Sequence, residues 1–482
     1  MTDSNRLQLA YVEEVTPGTT PVSPAMTKIR VKGESLNKNI QTTRSEEIRN
    51  DRLTPDLIQT MEKADGGFPM ELSYGAFDDF IKAAMFNAWV NTPVKLNVTS
   101  DSSITAVTDS SDTFTVDAGG TSFKAGHLIR TSGFTNAANN GLFRVGSSTG
   151  TTVVVGGTPT LTDESAPPAG ARIKVVGFRG ASGDITATAS GLGSTALDFT
   201  TLGLAVGQWV KIGGSSAGEK FATAALNDWA RITAIAATAL TLDNKPSGWT
   251  TDSGTSKTIT VYFGDYLRVG TTLTAFSIEK VLLGQGVPAY IVYRGMTPNT
   301  FSLSFKAGSV ASGAFDFLGY GASISTSPLD ASPDEAPAYD VMNAVSDLGR
   351  IAEAGSAVAS PNYIMSLDMT INNNLRERTA IGVMGLVGIG VGDADISGKI
   401  STYFGSKDLY EKFINNTASS INFRVNKDGR ADVFTFPRVK FMDGKVNASA
   451  RNQDVMAELG FQALRDPTTA TSFQIDRLEE YA

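Results

Sequence analysis

At 482 residues the chain is too long for one ordinary core, and 41% hydrophobic with 19% charged residues is a globular balance. Net charge is 41 − 49 = −8 with no basic block, which argues against specific nucleic-acid binding. Cysteine is absent and His127 is the single histidine, which removes disulfides, most zinc sites and most nucleophile–histidine catalysis.

The opening "MTDSNRLQLAYVEE" is polar and acidic, so no secretory signal is expected; no run of 18 apolar residues predicts a membrane span. The chain therefore reads as made in a cytoplasm. Residues 35–40, "SLNKNI", carry an uncommon polar pattern that returns as "TINNNL" at 370–375, an offset of 335. Each copy leads into a long connection, 41–67 in the first and 376–397 in the second. Long ordered loops usually contact something. The first is charged, with Arg44, Arg49, Arg52 and Leu53; the second is apolar and glycine-rich, with Ile381, Met384, Leu386 and Val387.

A strand-like run, a glycine and a helical pattern follow each loop: "MELSYGAFDDFIKAAM" (70–85) and "ISTYFGSKDLYEKFIN" (400–415), now offset by 330. Acids just after the glycine read as a helix start. In the first copy residues 96–262 then intervene, rich in Gly, Ser and Thr. They hold a nested repeat: "AGHLIRTSG" (125–133) matches "VGQWVKIGG" (206–214) at offset 81, and "NGLFRV" (140–145) matches "NDWARI" (227–232) at offset 87. Two small all-β modules, about 97–178 and 179–262, are expected, inserted at an exposed turn and folding independently. Alternating strands resume at "TFSLSF" (300–305), and "SGAFDFLGYGA" (312–322) aligns with "QDVMAELGFQA" (453–463) by placing Leu318 on Leu459.

The fold expected is mainly β: two β-sandwich or barrel domains, each with one short helix, plus the inserted all-β region. The division is 1–95 and 263–345 for the first domain, 96–262 for the insert and 346–482 for the second domain.

Chemical motifs are weak. "GSSTG" (146–150) would place Ser148 as a nucleophile near His127, but strands flank it on both sides, and His127 aligns with Gln208 in the sister module. "GLVGIGVGDAD" (385–395) has Asp393 where a phosphate-binding loop needs its third glycine. Asp78 and Asp79 point apart on a helix, and Asp393 and Asp395 lie in a turn. No enzyme, metal or cofactor is expected.

"LQLAYVEEVTPGTTPVSPAMTKIRVKGESL" (7–36), followed by "LSYGAFDDFIKAAM" (72–85) and by "IEKVLLGQGVPAYIVYRGMTPNTFSLSFKAGSVASGAFDFLGYGA" (278–322), resembles the tail tube (major tail) proteins of long, non-contractile-tailed bacteriophages. The resemblance covers 1–95 and 263–482. It implies stacked rings whose inner strands join into one barrel around a DNA channel. Two tube domains per chain would close a pseudo-sixfold ring with three copies, a virion structure synthesised in the host cytoplasm. Its implied partners are itself, the tape measure, tail terminator and tail tip, with DNA passing without specific binding. The residues named above in the two loops would stack one ring on the next. A β-rich capsid decoration or carbohydrate-binding adhesive protein is the alternative, which leaves the split duplication unexplained.

Overall fold

The computed structural model describes residues 4–157, 160–358, 362–448, 450–479 and 481. Eight antiparallel strands form its spine. In chain order they are β1 (Asn37–Arg44), β2 (Leu57–Glu71), β3 (Tyr290–Lys306), β4 (Ser312–Gly319), β5 (Ile364–Asn372), β6 (Asp395–Tyr403), β7 (Arg430–Asn447) and β8 (Met456–Ala463). They pair side by side as β1-β2-β4-β3-β5-β6-β8-β7. The first four build one sandwich and the last four another, so a single sheet runs through both.

Alternation along these strands sends one set of side chains into a common core. Phe68, Phe301, Phe315 and Phe317 enter it from the first sandwich, and Leu367, Met369, Ile371, Ile400 and Phe461 from the second. β3 and β7 are long enough to leave this sheet and enter a second layer. The early part of β3 pairs with strands Ala275–Leu282 and Gly321–Ser325, and that of β7 with Ser419–Lys427 and Gln474–Leu478. Helix α1 (Asp78–Ala84) carries two acids in its first turn, where the helix dipole favours them. It buries Phe80, whose ring lies 4.5 Å from that of Tyr11 and 5.2 Å from that of Phe68. Helix α2 (Asp408–Ile414) buries only Leu409.

The register repeats with the sequence. Asn37 lies opposite Asp65 and Asn372 opposite Asp395, which reproduces the spacings of 335 and 330. The alignment of Leu318 with Leu459 does not hold. Phe315 faces Phe68 and Phe461 faces Gly398, and Phe68 and Gly398 are 330 apart, so Phe315 matches Phe461. Leu318 instead lies outside the core, in a small separate cluster with Leu386 and Ile389. Misplacing a strand by an odd number of residues exchanges its faces. The stretch 41–67 is also mostly strand: β1 runs to Arg44 and β2 begins at Leu57, so only 45–56 connects them. Its counterpart contains a short ribbon of Arg376–Arg378 paired with Gly388–Gly390 before β6 begins.

The intervening region forms a separate 13-stranded sheet with its own core. Its internal repeat shows in its braces. Asn140 holds the backbone N–H and C=O of Phe134 at 2.9 Å each, and Asn227 does the same for Phe221, 87 residues on. This region is not a free appendage. Leu128, Val176, Trp209, Trp229 and Tyr262 are buried in one cluster with Ala431, Val433 and Leu478 of the second sandwich. The expectation of an independent insertion at an exposed turn overlooked that contact.

Candidate functional site: a polar sheet face with two open edges

The face of the eight-stranded sheet turned away from the core is largely polar, interrupted at one end by the cluster around Leu318 and Met61. Cross-strand registers place Asp65, Thr300, Ser302, Ser304, Asp316, Asp368, Thr370, Ser397, Lys399, Glu458 and Gln462 on this one side. Charges that the registers place on it are Asp65, Glu71, Asp316, Asp368, Asp395, Asp443 and Glu458 against Lys63, Lys306, Lys399, Lys440 and Lys445. Carboxylates outnumber lysines among them. Two of the five lysines are already matched, Lys399 to Glu458 and Lys63 to Glu377, both at 2.7 Å.

Between the two sandwiches β3 pairs with β5, from Thr300 opposite Asn372 to Lys306 opposite Ser366. Ser304 donates across this seam to Asp368 at 2.5 Å. The repeated asparagine motif clamps it. Asn373 is buried and donates to the carbonyls of Pro298 at 3.1 Å and Ala84 at 2.9 Å, while the Leu375 N–H donates to Asn299 at 2.9 Å. Arg477 adds a lock at the outer layer. It pairs with Asp432 at 2.8 Å and with Asp78 of α1, and it lies 4.8 Å from the Tyr74 ring and 4.4 Å from the Trp89 ring. The same sheet ends in two strands with no partner on one side among the described residues, β1 and the later part of β7. An unpaired edge offers a row of N–H and C=O groups to another chain.

The residues singled out in the two connections are spread unevenly. Arg44 ends β1 and Arg49 is paired with Asp51 at 2.7 Å. Arg52 has a left-handed backbone, φ 61°, and Leu53 is exposed. Ile381 is fully exposed, and Met384 and Val387 are about half exposed. Leu386 is 5% exposed, because it packs with Ile389 on Leu318, Met61 and Tyr320 of the first sandwich. It is therefore taken within its own chain and removed from any stacking surface.

The enzyme-like motif resolves into structure. His127 is buried, accepts the Lys124 N–H at Nδ1 at 3.0 Å and lies 3.2 Å from the Leu202 carbonyl through Nε2. Gln208 braces the Ala205 N–H at the matching place, also at 3.0 Å. Burial pushes the His127 ring down to about 4, so it stays neutral. Ser148 donates to the Phe123 carbonyl at 2.5 Å. Among the described residues no group of three or more His, Cys, Asp or Glu could hold a metal ion, and no helix is long and apolar enough to cross a membrane.

A sheet with a polar face and open edges suits a wall made of repeated copies. The family model described as phage tail tube protein matches residues 4–208 and again residues 174–463. The chain belongs to the phage tail tube protein family. The double match accords with two copies of a tail tube domain in one chain. Membership makes it a structural component of a virion tail that assembles with itself. No curated protein sequence matches the chain.

Proposed function

We propose that three copies of this tail tube protein close a pseudo-sixfold ring, that rings stack into a tube, and that the polar sheet face lines the channel through which DNA leaves. The observation that carries this reading is the seam inside the chain. β5 is the counterpart of β1, and β7 the counterpart of β3, so the β3–β5 pairing prefigures a β7–β1 pairing between one chain and the next. Two sectors per chain require three chains, joined head to tail. The chain divides accordingly into a first tube domain at 1–95 and 263–345, an insert at 96–262 on the outer wall, and a second tube domain at 346–482.

The surplus of carboxylates, with Lys63 and Lys399 already paired, disfavours a salt-dependent grip on phosphate. Purified tubes should not retain duplex DNA at low salt. Stacking falls to the exposed tips: Arg49, Arg52 and Leu53 on one side, Ile381, Met384 and Val387 on the other. Their unlike chemistry would fix the rotation of each ring on the next. Electron microscopy tests both parts. Wild-type protein should give tubes with three chains per ring, and Arg49→Glu/Arg52→Glu protein should stop at single rings. Six chains per ring would sink the closure, and normal tubes from the double variant would sink the stacking.

A further inference from the structure

Beyond the seam, both sandwiches extend an arm. In the second, Glu377 lies opposite Ile389 and Arg378 opposite Gly388; in the first, Thr42 lies opposite Gln59 and Thr43 opposite Ile58. These rungs match at the same spacings of 335 and 330, so the two ribbons are equivalent. Their surroundings are not. The second arm lies on the first sandwich. The Glu62 N–H donates to the Met384 carbonyl at 2.9 Å, Glu377 meets Lys63, and Leu375 packs into the cluster around Leu318. Among the described residues the first arm has no such seat, and Ile40, Leu57 and Ile58 are 41%, 58% and 50% exposed. Exposed apolar side chains on a two-stranded ribbon need a cover.

We propose that the first arm seats laterally on the second sandwich of a neighbouring copy, as the second arm seats on the first sandwich within the chain. Ile40 is the counterpart of Leu375, and Leu464 that of Leu318, so Ile40 of one copy covers Leu464 of the next. Leu464 is partly exposed and Val391, the counterpart of Met61, is 39% exposed. This contact lies within a ring, and it rests on the ring reading above. It leaves the charged tip at 45–56 free for the next ring.

The chain has no cysteine, so paired cysteines report cleanly. Three double variants are treated with a short bismaleimide and run under denaturing conditions. Leu318→Cys/Leu375→Cys links within one chain and sets the reach. Asn37→Cys/Lys440→Cys, the counterparts of Asn372 and Thr300, reports the seam between chains. Ile40→Cys/Leu464→Cys reports the arm, and bands of two and three chains are expected. Seam bands without arm bands overturn the inference and leave the ring standing. If neither pair links, both fall. As a second measurement, Ile40→Asp should lower the fraction sedimenting as rings severalfold while the monomer melts unchanged. Undiminished ring formation would overturn the seat.

Discussion

The two sandwiches share a fold and differ in what roofs them. On the first, the outer layer is crossed by the linker to the second: the Leu329 N–H donates to Glu279 and the Met26 N–H to Asp330, both within 2.9 Å. On the second, the roof is the insert, which leaves the chain from the first sandwich and crosses over. Trp209 donates from its ring N–H to Thr435 at 2.8 Å, and Arg424 lies 4.6 Å from the Trp229 ring. Lys174 bridges Asp265 and Glu479 at 2.5 Å each, and Arg172 adds a second contact to Glu479 at 2.8 Å. A duplicated sheet has two bare outer faces to cover, and this chain covers them by unrelated means.

Removing the roof is the largest break in that comparison. A variant with 96–262 replaced by a short Gly/Ser linker exposes Ala431, Val433 and Leu478 and strips Glu479 of both its cations. Each apolar side chain newly exposed to water costs about 1.5–3 kcal/mol. The expected outcome is aggregation, or a second sandwich without cooperative melting, beside an intact first one. Normal tubes from this protein, thinner by image analysis, would show that the roof is dispensable.

A smaller break sharpens the same contrast. Trp209 is 3% exposed, and Trp209→Ala should cost about 3–5 kcal/mol. Hydrogen exchange should quicken in Ser419–Lys427 and Gln474–Leu478, and stay unchanged in Ala275–Leu282, which the linker roofs. Equal loss of protection in both outer layers would mean that the sandwiches do not respond separately.

Legibility followed the range of the interactions. The asparagine motifs were readable because each sits at a matching rung, Asn37 by Asp65 and Asn372 by Asp395. The brace shared by His127 and Gln208 left a trace for the same reason: a local turn repeats locally. β2 was read partly as loop because "EKADGG" carries charge and two glycines. The register explains both features. Asp65 and Lys63 face the polar side, and a Cβ at Gly67 would strike the Phe315 carbonyl of the neighbouring strand. Leu318 was aligned by an "LG" coincidence that only the partner strand corrects. The contact of Trp209 with Thr435, 226 residues apart, has no period and leaves nothing to read.

The smallest effect concerns a buried acid under each roof. Burial raises Glu279 beneath the linker, and it pushes Asp476 up to about 7 beneath the insert. Asp476 accepts the Trp209 N–H at 3.3 Å and the Gln474 amide at 2.8 Å, with the cations Arg268 and Arg231 nearby. Arg268 is held by Gln474, and Arg231 is paired with Asp243, so neither is free to neutralise Asp476 fully. An acid whose folded pKa lies above its unfolded value of about 3.9 contributes stability below that value and loses it as pH rises through about 7. His127 works the other way. Its ring, held down at about 4, loses stability as pH falls from about 6.5 to 4. The two slopes oppose each other, so the wild-type melting curve alone decides little. The difference between Asp476→Asn and wild type removes the histidine contribution. That difference should grow in favour of the variant from pH 4 to about 7 and then level off, measured as the thermal midpoint in buffers of matched ionic strength. An offset independent of pH would mean that Asp476 stays in one charge state throughout, and that the insert does not hold it in the dry environment the packing describes.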